Sequence, residues 1–217
     1  LYCEGYCRIN QNGISGLKFI EHLDCSYNSE INNVNHLKNT LKILNCSNMS
    51  RINQKGIADL RCIENLNCID NSEINNVNHL KNTLKVLLCG GDCGIDQKGI
   101  SYIRCIKELY CNNNDNIKNV NHMKSTLKVL YCDGHEDGID QKGISKLLCL
   151  EELSCKRNEK INNVNHLKNT LRILDCSGIY CGINQDGIAE LKCIEHIYHD
   201  HNNKIYNLDH LKTNDNI

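Results

Sequence analysis

Cysteine and histidine are the residues of this chain with the most distinctive chemistry, because both bind metal ions and cysteine can also be oxidised. The 217 residues include 16 cysteines and 10 histidines. The densest group is Cys193, His196, His199 and His201, whose spacing could supply ligands to zinc. On a strand, however, alternation would separate His199 from His196 and His201. We therefore expect no metal site and no cofactor.

Two cysteine pairs have three residues between them, a spacing at which a redox pair could form: Cys3 with Cys7, and Cys89 with Cys93. Neither pair is part of a ligand set that recurs along the chain. The sequence contains no phosphate-binding glycine loop, no GxSxG and no HExxH. We expect no enzyme, and we keep a metal- or redox-responsive cysteine-rich module as an alternative function.

Five histidines recur every 43 or 44 residues in one connecting phrase, Asn-Val-Asn-His in most copies: His36, His79, His122, His166 and His210. Two strand spacings would place neighbouring members about 10 Å apart, which is too far for them to share a metal ion. This set is therefore predicted to be part of the framework or to face solvent.

Nine cysteines recur at intervals of 21 to 23 residues and mark one position of a sequence repeat: Cys3, Cys25, Cys46, Cys68, Cys89, Cys111, Cys132, Cys155 and Cys176. His199 occupies this position in a tenth copy. Such a column indicates a small buried apolar residue rather than a disulfide framework. Because a column of close thiols would be exposed to oxidation elsewhere, we expect a reducing, cytoplasmic location.

Each repeat cysteine ends a phrase such as Leu127 to Cys132, in which Leu130 and Cys132 share one face and Tyr131 points to the other. The phrase predicts a short parallel strand of five to six residues.

Two connections alternate between strands. "Asparagine repeats" have Asn three residues beyond the repeat position: Asn28, Asn71, Asn114, Asn158 and Asn202. "Glycine repeats" have Ile-Asp-Gln-Lys-Gly-Ile, as at 95–100, with its Asp predicted to cap a helical turn.

The stretch from Ile20 to Ile31 resembles the signature of leucine-rich-repeat proteins, with cysteine in place of the third leucine. Glycine repeats resemble the cysteine-containing subclass of F-box proteins, and asparagine repeats resemble the short subclass. The composition, rich in Asn, Lys and Ile, resembles such proteins of giant DNA viruses of amoebae. The resemblance implies an α/β horseshoe solenoid, with a parallel β-ribbon on the concave face and short helical or 3₁₀ turns on the convex face. We expect one domain over 1–217, with about ten repeats, the first truncated at its N-terminus.

The exposed strand face is the usual binding surface of a solenoid. The residue between the leucine and the cysteine varies within a constant frame, which predicts that it is not needed for packing. We predict that a protein partner binds this face, with contacts from Asp24, Asn45, Asn67, Val86, Leu88, Tyr110, Val129, Tyr131, Ser154 and Asp175. Val86, Leu88, Tyr110, Val129 and Tyr131 are expected to form its aromatic and aliphatic centre.

Charge and hydropathy narrow the class of partner. The net charge of −1 gives no basic field for nucleic acid or an anionic membrane, and no apolar run is long enough to span a bilayer. The chain begins at Leu1, so we take it as a fragment or a processed chain, located in the host cytoplasm if it is viral. The leading function is a non-catalytic protein-binding scaffold. The alternative from the family resemblance is the substrate-recognition arm of an F-box-type ubiquitin ligase, and neither alternative specifies an oligomeric state.

Overall fold

A computed structural model describes residues 1–5, 7–134 and 138–211. The chain divides into two compact units, an N-terminal unit Leu1–Ile106 and a C-terminal unit Lys107–Ile217. The expectation of a single domain remains a prediction. Each unit repeats the same two connections, so the two are described in parallel.

Short parallel strands form the sheet of each unit, and each strand pairs in register with the next along the chain. The N-terminal unit contains β1 (His22–Asp24), β2 (Ile43–Asn45), β3 (Asn65–Asn67) and β4 (Val86–Leu88). The C-terminal unit contains β5 (Glu108–Tyr110), β6 (Val129–Tyr131), β7 (Glu152–Ser154), β8 (Ile173–Asp175) and β9 (His196–Tyr198). The strands are shorter than predicted, although backbone pairing continues beyond them: Cys25 N donates to Asn45 O at 2.9 Å.

Single helical turns connect the strands on the other side of each unit. Within the described residues, three are α-helical: α1 (Gln11–Ser15), α2 (Gln54–Ile57) and α3 (Gln141–Ile144). The same part of the chain contains six 3₁₀ turns: Asn35–Leu37, Asn78–Leu80, Asn121–Met123, Asn165–Leu167, Asp186–Ile188 and Asp209–Leu211. The predicted cap is confirmed in α3, where the Asp140 carboxylate accepts from Gly143 N at 2.7 Å.

The repeat cysteines lie in the core with the leucines and isoleucines, as predicted. Cys25, Cys46 and Cys155 are completely buried. A buried thiol still has a weak hydrogen-bond donor, and it is used here: Cys46 Sγ donates to Asn67 O, on the adjacent strand, at 3.5 Å. The column therefore fills the narrow space beside the strands without leaving a polar group unpaired.

The buried asparagines join successive repeats through their backbones. Asn71 Nδ2 donates to Cys46 O at 2.8 Å and to Ile52 O at 3.1 Å, both in the preceding repeat. Its Oδ1 accepts from Glu73 N at 3.1 Å. Asn158 makes the equivalent contacts in the C-terminal unit. These bonds satisfy loop groups that the turn would otherwise bury unpaired.

The glycine of the Gln-Lys-Gly-Ile motif lies where two connections touch. A Cβ on Gly56 would lie 2.1 Å from Asn32 O, and Val34 N donates to Gly56 O at 2.9 Å. Gly143 shows the same approach to Lys118 O in the C-terminal unit, also at 2.1 Å. Only glycine fits, because the contact is between backbones and neither can move aside.

Each unit is therefore an α/β solenoid of the leucine-rich-repeat type. Parallel strands line one side, single helical turns line the other, and leucine, isoleucine, valine and cysteine fill the space between. Among the described residues, no helix has the length and apolar character needed to cross a membrane.

Candidate protein-binding face

Three adjacent strands of the C-terminal unit present two tyrosines, two glutamates and a valine on the side opposite the core. The register pairs Glu108 with Val129 and Val129 with Glu152, and it pairs Tyr110 with Tyr131. All five side chains are half-buried, while Leu109, Leu130 and Leu153 between them are completely buried. We call Glu108, Tyr110, Val129, Tyr131 and Glu152 the tyrosine face.

The two tyrosine rings pack against each other and are held by the glutamates. Their centroids lie 4.9 Å apart, with the ring planes inclined at 38°. The Tyr110 hydroxyl donates to Glu108 Oε2 at 3.0 Å, and the Tyr131 hydroxyl donates to Glu152. The aromatic pair is therefore fixed before any partner arrives, which reduces the conformational entropy lost on binding.

The same contacts keep both phenols protonated. Burial, and then the hydrogen bond to Glu108, raise the pKa of Tyr110 to about 12. The pKa of Tyr131 is also raised, chiefly by its hydrogen bond to the Glu152 carboxylate and then by burial. Each hydroxyl donates to a carboxylate, which has further lone pairs that can accept from other donors.

A shallow cavity of about 590 Å³ lies where the strands β6 to β9 lead into their loops, and Asp133, Lys156, Arg157, Asp175 and Asp200 are among its lining residues. Lys156 Nζ forms an ion pair with Asp175 Oδ2 at 2.9 Å. Burial raises the pKa of Asp133, while hydrogen bonds from the Ser154 hydroxyl and Lys156 N oppose this shift.

The position of Ser154 differs from the one predicted for it on the contact surface. Its side chain is only 2% exposed, because the short hydroxyl turns to Asp133 Oδ1, 2.6 Å away. The prediction that Ser154 contributes to an exposed face is therefore wrong. Asp175 remains half-buried, although its Oδ2 is already paired with Lys156.

The corresponding column of the N-terminal unit performs a structural task. Asp24, Asn45 and Asn67 each accept a hydrogen bond from the backbone N–H two residues ahead, at 3.0 to 3.2 Å. Asn45 Nδ2 also donates to Asp24 Oδ2 at 2.9 Å. These side chains shape the turn that follows each strand. The inference that the variable column is unnecessary for the frame is therefore wrong at these three positions.

Val86 and Leu88 lie on β4, the last strand of the N-terminal unit, and both are half-buried. Val86 and Ile43 are among the lining residues of an open cavity of about 420 Å³. Ion pairs border this cavity, with Lys42 Nζ 3.0 Å from Glu21 and Lys85 Nζ 2.6 Å from Glu64. An aliphatic patch with a balanced polar rim thus occupies this end of the strands.

The repeated histidines form hydrogen bonds within the framework, which is one of the two roles predicted for them. His79 Nε2 lies 3.1 Å from Ile57 O, and His166 Nε2 lies 3.1 Å from Ile144 O, so each ring N–H donates to a helical turn of the preceding repeat. Burial lowers the pKa of both imidazoles. The neutral rings add a second hydrogen bond to carbonyls that already accept from Leu60 N and Leu147 N.

Cysteines make contacts across repeats. Cys93 Sγ lies 3.6 Å from Cys68 Sγ, 25 residues earlier in the chain. Cys7 accepts from Asn28 Nδ2 at 3.6 Å. Every cysteine lies within the described residues, and each is a thiol rather than half of a disulfide. The spacing of the cysteines in the sequence did not indicate the contact between Cys68 and Cys93, which forms because the solenoid brings residues one repeat apart together.

At the C-terminal cluster, His196 and His201 are exposed and His199 is half-buried, in agreement with the predicted alternation. Within residues 1–5, 7–134 and 138–211, no three His, Cys, Asp or Glu side chains are grouped so that they could hold a metal ion.

Sequence reasoning placed both tyrosines on the strand face but gave no role to Glu108 and Glu152. A signal was present: these glutamates flank the tyrosines in a column that holds aliphatic residues in every second repeat. Pairing of each hydroxyl with a carboxylate depends on side-chain rotamers, which the repeat pattern does not specify.

No protein-family model matches the chain, and neither does any curated protein sequence. Among solved structures, the chain is similar to one from the crystal structure of the Rad7 and Elc1 complex in yeast. The TM-score is 0.46 and the sequence identity is 14%, over 91% of this chain and 68% of that chain.

Proposed function

We propose that this protein is a non-catalytic scaffold that binds another protein through the exposed side of its strands, with the tyrosine face as the principal contact. The observation that carries this proposal is the tilted pair Tyr110 and Tyr131, fixed by Glu108 and Glu152 on an otherwise repetitive surface. Tyrosine is enriched at protein interfaces because it offers a large apolar ring with one polar tip.

Other parts of the strand side support weaker contacts. Val86 and Leu88 give the N-terminal unit an aliphatic patch, and Asp175 offers a carboxylate at the edge of the C-terminal cavity. Asp24, Asn45 and Asn67 can add hydrogen bonds, but their side chains are already used by the chain itself. We assign them a secondary role in binding.

The test is capture from cell lysate under reducing conditions, with a Tyr110→Ser, Tyr131→Ser double variant beside the unchanged chain. We expect the unchanged chain to capture a defined protein and the variant to lose at least about 90% of it. This loss corresponds to a tenfold or greater change in affinity at subsaturating partner.

A matched control comes from the N-terminal unit, as an Asn45→Ser, Asn67→Ser double variant with capture expected to remain within about twofold. Both variants must unfold within a few degrees of the unchanged chain for the comparison to count. Equal capture by the tyrosine variant and the unchanged chain would exclude the tyrosine face as the contact.

The substrate-recognition arm of an F-box-type ubiquitin ligase is a more specific form of the same function. An F-box encoded upstream of Leu1 in the reading frame would support it. A redox-responsive module draws on a separate observation, the 3.6 Å contact between Cys68 and Cys93. Thiol counting on native protein before and after mild oxidation would separate that module from a scaffold, for which we propose a reducing, cytoplasmic setting.

A further inference from the structure

The strand side of the C-terminal unit carries an excess of negative charge. Its outward strand positions hold three carboxylates, Glu108, Glu152 and Asp175, and neither lysine nor arginine. Asp133 and Asp200 follow in the loops, where Lys156 and Arg157 oppose them, and Lys156 is already paired with Asp175. At the amino ends of these strands, Lys128 pairs with Glu151 and Arg172 pairs with Glu195, while the exposed Lys107 adds one positive charge. The outward strand positions around the tyrosine face are therefore negatively charged.

Aromatic rings and carboxylates together select a particular kind of cation. A guanidinium group stacks on an aromatic face, and its planar fork of N–H donors matches a carboxylate. On the tyrosine face, each ring is already joined to a carboxylate, in the pairs Tyr110–Glu108 and Tyr131–Glu152. A compact ammonium group would gain the same charge attraction but not the planar stacking.

The spacing of the two pairs suits an extended segment rather than one isolated side chain. Glu108 and Glu152 lie on strands separated by β6, about 9.6 Å apart at two strand spacings. Val129 lies between them and offers an apolar floor. An extended peptide places alternate side chains on one side about 6.8 Å apart, so flexible arginines at alternate positions can reach both carboxylates.

We propose that the tyrosine face binds an extended, arginine-bearing segment of a protein partner, with guanidinium groups on the rings of Tyr110 and Tyr131 and against Glu108 and Glu152. This inference rests on the proposed function and adds the chemical class of the partner. Charge complementarity identifies the occupant, because an acidic aromatic surface attracts a basic segment and repels polyanions.

The probe is a fluorescein-labelled peptide of about twelve residues with arginine at alternate positions and glycine or serine between. Matched peptides carry lysine or glutamine instead. Fluorescence anisotropy is measured with the full chain under reducing conditions, at low and at moderate salt. We expect the arginine peptide to bind at least about tenfold more tightly than the glutamine peptide and several-fold more tightly than the lysine peptide, with weaker binding at higher salt.

Two variants localise the binding. Glu108→Gln, Glu152→Gln removes both charges while keeping an oxygen that can accept from each tyrosine, so the face stays ordered, and we expect about a tenfold weaker complex. Asp59→Asn removes an exposed carboxylate from the helical-turn side of the N-terminal unit and should leave affinity unchanged. An unchanged affinity in the glutamine variant, or equal binding of the glutamine peptide, overturns the inference.

Equal binding of the arginine and lysine peptides overturns the assignment to arginine.

A failure of the proposal tested with the arginine peptide can be distinguished from a failure of the proposed function. If lysate capture still depends on both tyrosines while the arginine peptide does not bind, the scaffold function stands and the partner class is wrong. If neither capture nor peptide binding depends on the tyrosines, both proposals fail.

Discussion

The two units share a framework but differ on the strand side. In the N-terminal unit, Asp24, Asn45 and Asn67 bind the turns that follow their own strands. In the C-terminal unit, Asp175 forms the same kind of bond, accepting from Ser177 N at 3.2 Å, but Tyr110 and Tyr131 in this column bind glutamates of the neighbouring column instead. The frame beneath is alike in both, with the same leucines, cysteines and asparagines. In repeats that share one framework, the side chains of this outward strand column can therefore contribute either to stability or to recognition of a partner.

The largest effect should come from the buried asparagines. Replacing Asn71 or Asn158 by alanine leaves two carbonyls and at least one N–H without partners inside a repeat, so we expect each change to cost about 3 kcal/mol or more. Thermal and urea unfolding followed by circular dichroism measure the loss. Similar losses for the two variants are expected of a shared framework, and a difference of more than about twofold would break the comparison.

A smaller effect is expected on the pKa values of the two tyrosines, which should respond differently to loss of their glutamates. The first cause of the raised pKa is the Glu152 hydrogen bond for Tyr131 but burial for Tyr110, so Glu152→Gln should lower a tyrosine pKa more than Glu108→Gln. Because each folded pKa is raised, their contribution to stability is complete below the unfolded value of 10.0 and is lost as pH rises through the folded pKa, about 12 for Tyr110.

Titration of tyrosinate absorbance in the ultraviolet measures this difference between the tyrosines. The reference is a Tyr110→Phe, Tyr131→Phe variant, which removes both late-titrating phenols and leaves the other seven tyrosines in place. Identical titration curves for the two glutamine variants would mean that the carboxylates do not control the rings differently.

The smallest effect concerns the histidines, which should behave alike in both units. Burial lowers the pKa of His79 and His166, so their neutral form is favoured in the folded state. Stability linked to them is present above the ordinary value of 6.5 and is lost as pH falls through the lower folded value. Imidazole signals followed by NMR against pH should give two similar midpoints below 6.5, and a midpoint above 6.5 for either ring would contradict the shared role.

The repeat pattern predicted the frame because burial imposes a period on the sequence. The cysteine column, the asparagine bonds and the cap at Asp140 follow from residue type at a fixed spacing. Two features of the strand side did not follow. Ser154 is buried with its hydroxyl bonded to Asp133, and Cys93 contacts Cys68 of an earlier repeat. Both depend on which side chain of the neighbouring repeat lies within reach, and no single repeat contains that information.

The strands are shorter than predicted, and the turn-shaping role of Asp24 and Asn45 was missed although the sequence carried a signal for it. Asp and Asn commonly bind the backbone two residues ahead, so their position directly before the repeat cysteine carried the signal. This signal was missed because the column was interpreted only as a variable surface. Tyrosine cannot form that bond with the turn, so the rings of Tyr110 and Tyr131 pack against each other on the strand face instead.

The glycine contact between connections limits how the number of repeats in such a protein can change. A Cβ at Gly99 or Gly187 would lie 2.1 Å from the carbonyl oxygen of Asn75 or Asn162, so each glycine repeat needs an asparagine repeat before it. Duplication or loss of one repeat would set two connections of the same kind against each other. The interchangeable module is consequently the pair of repeats, about 43 residues long, and insertions, deletions or designed arrays that preserve folding should change length in steps of that size.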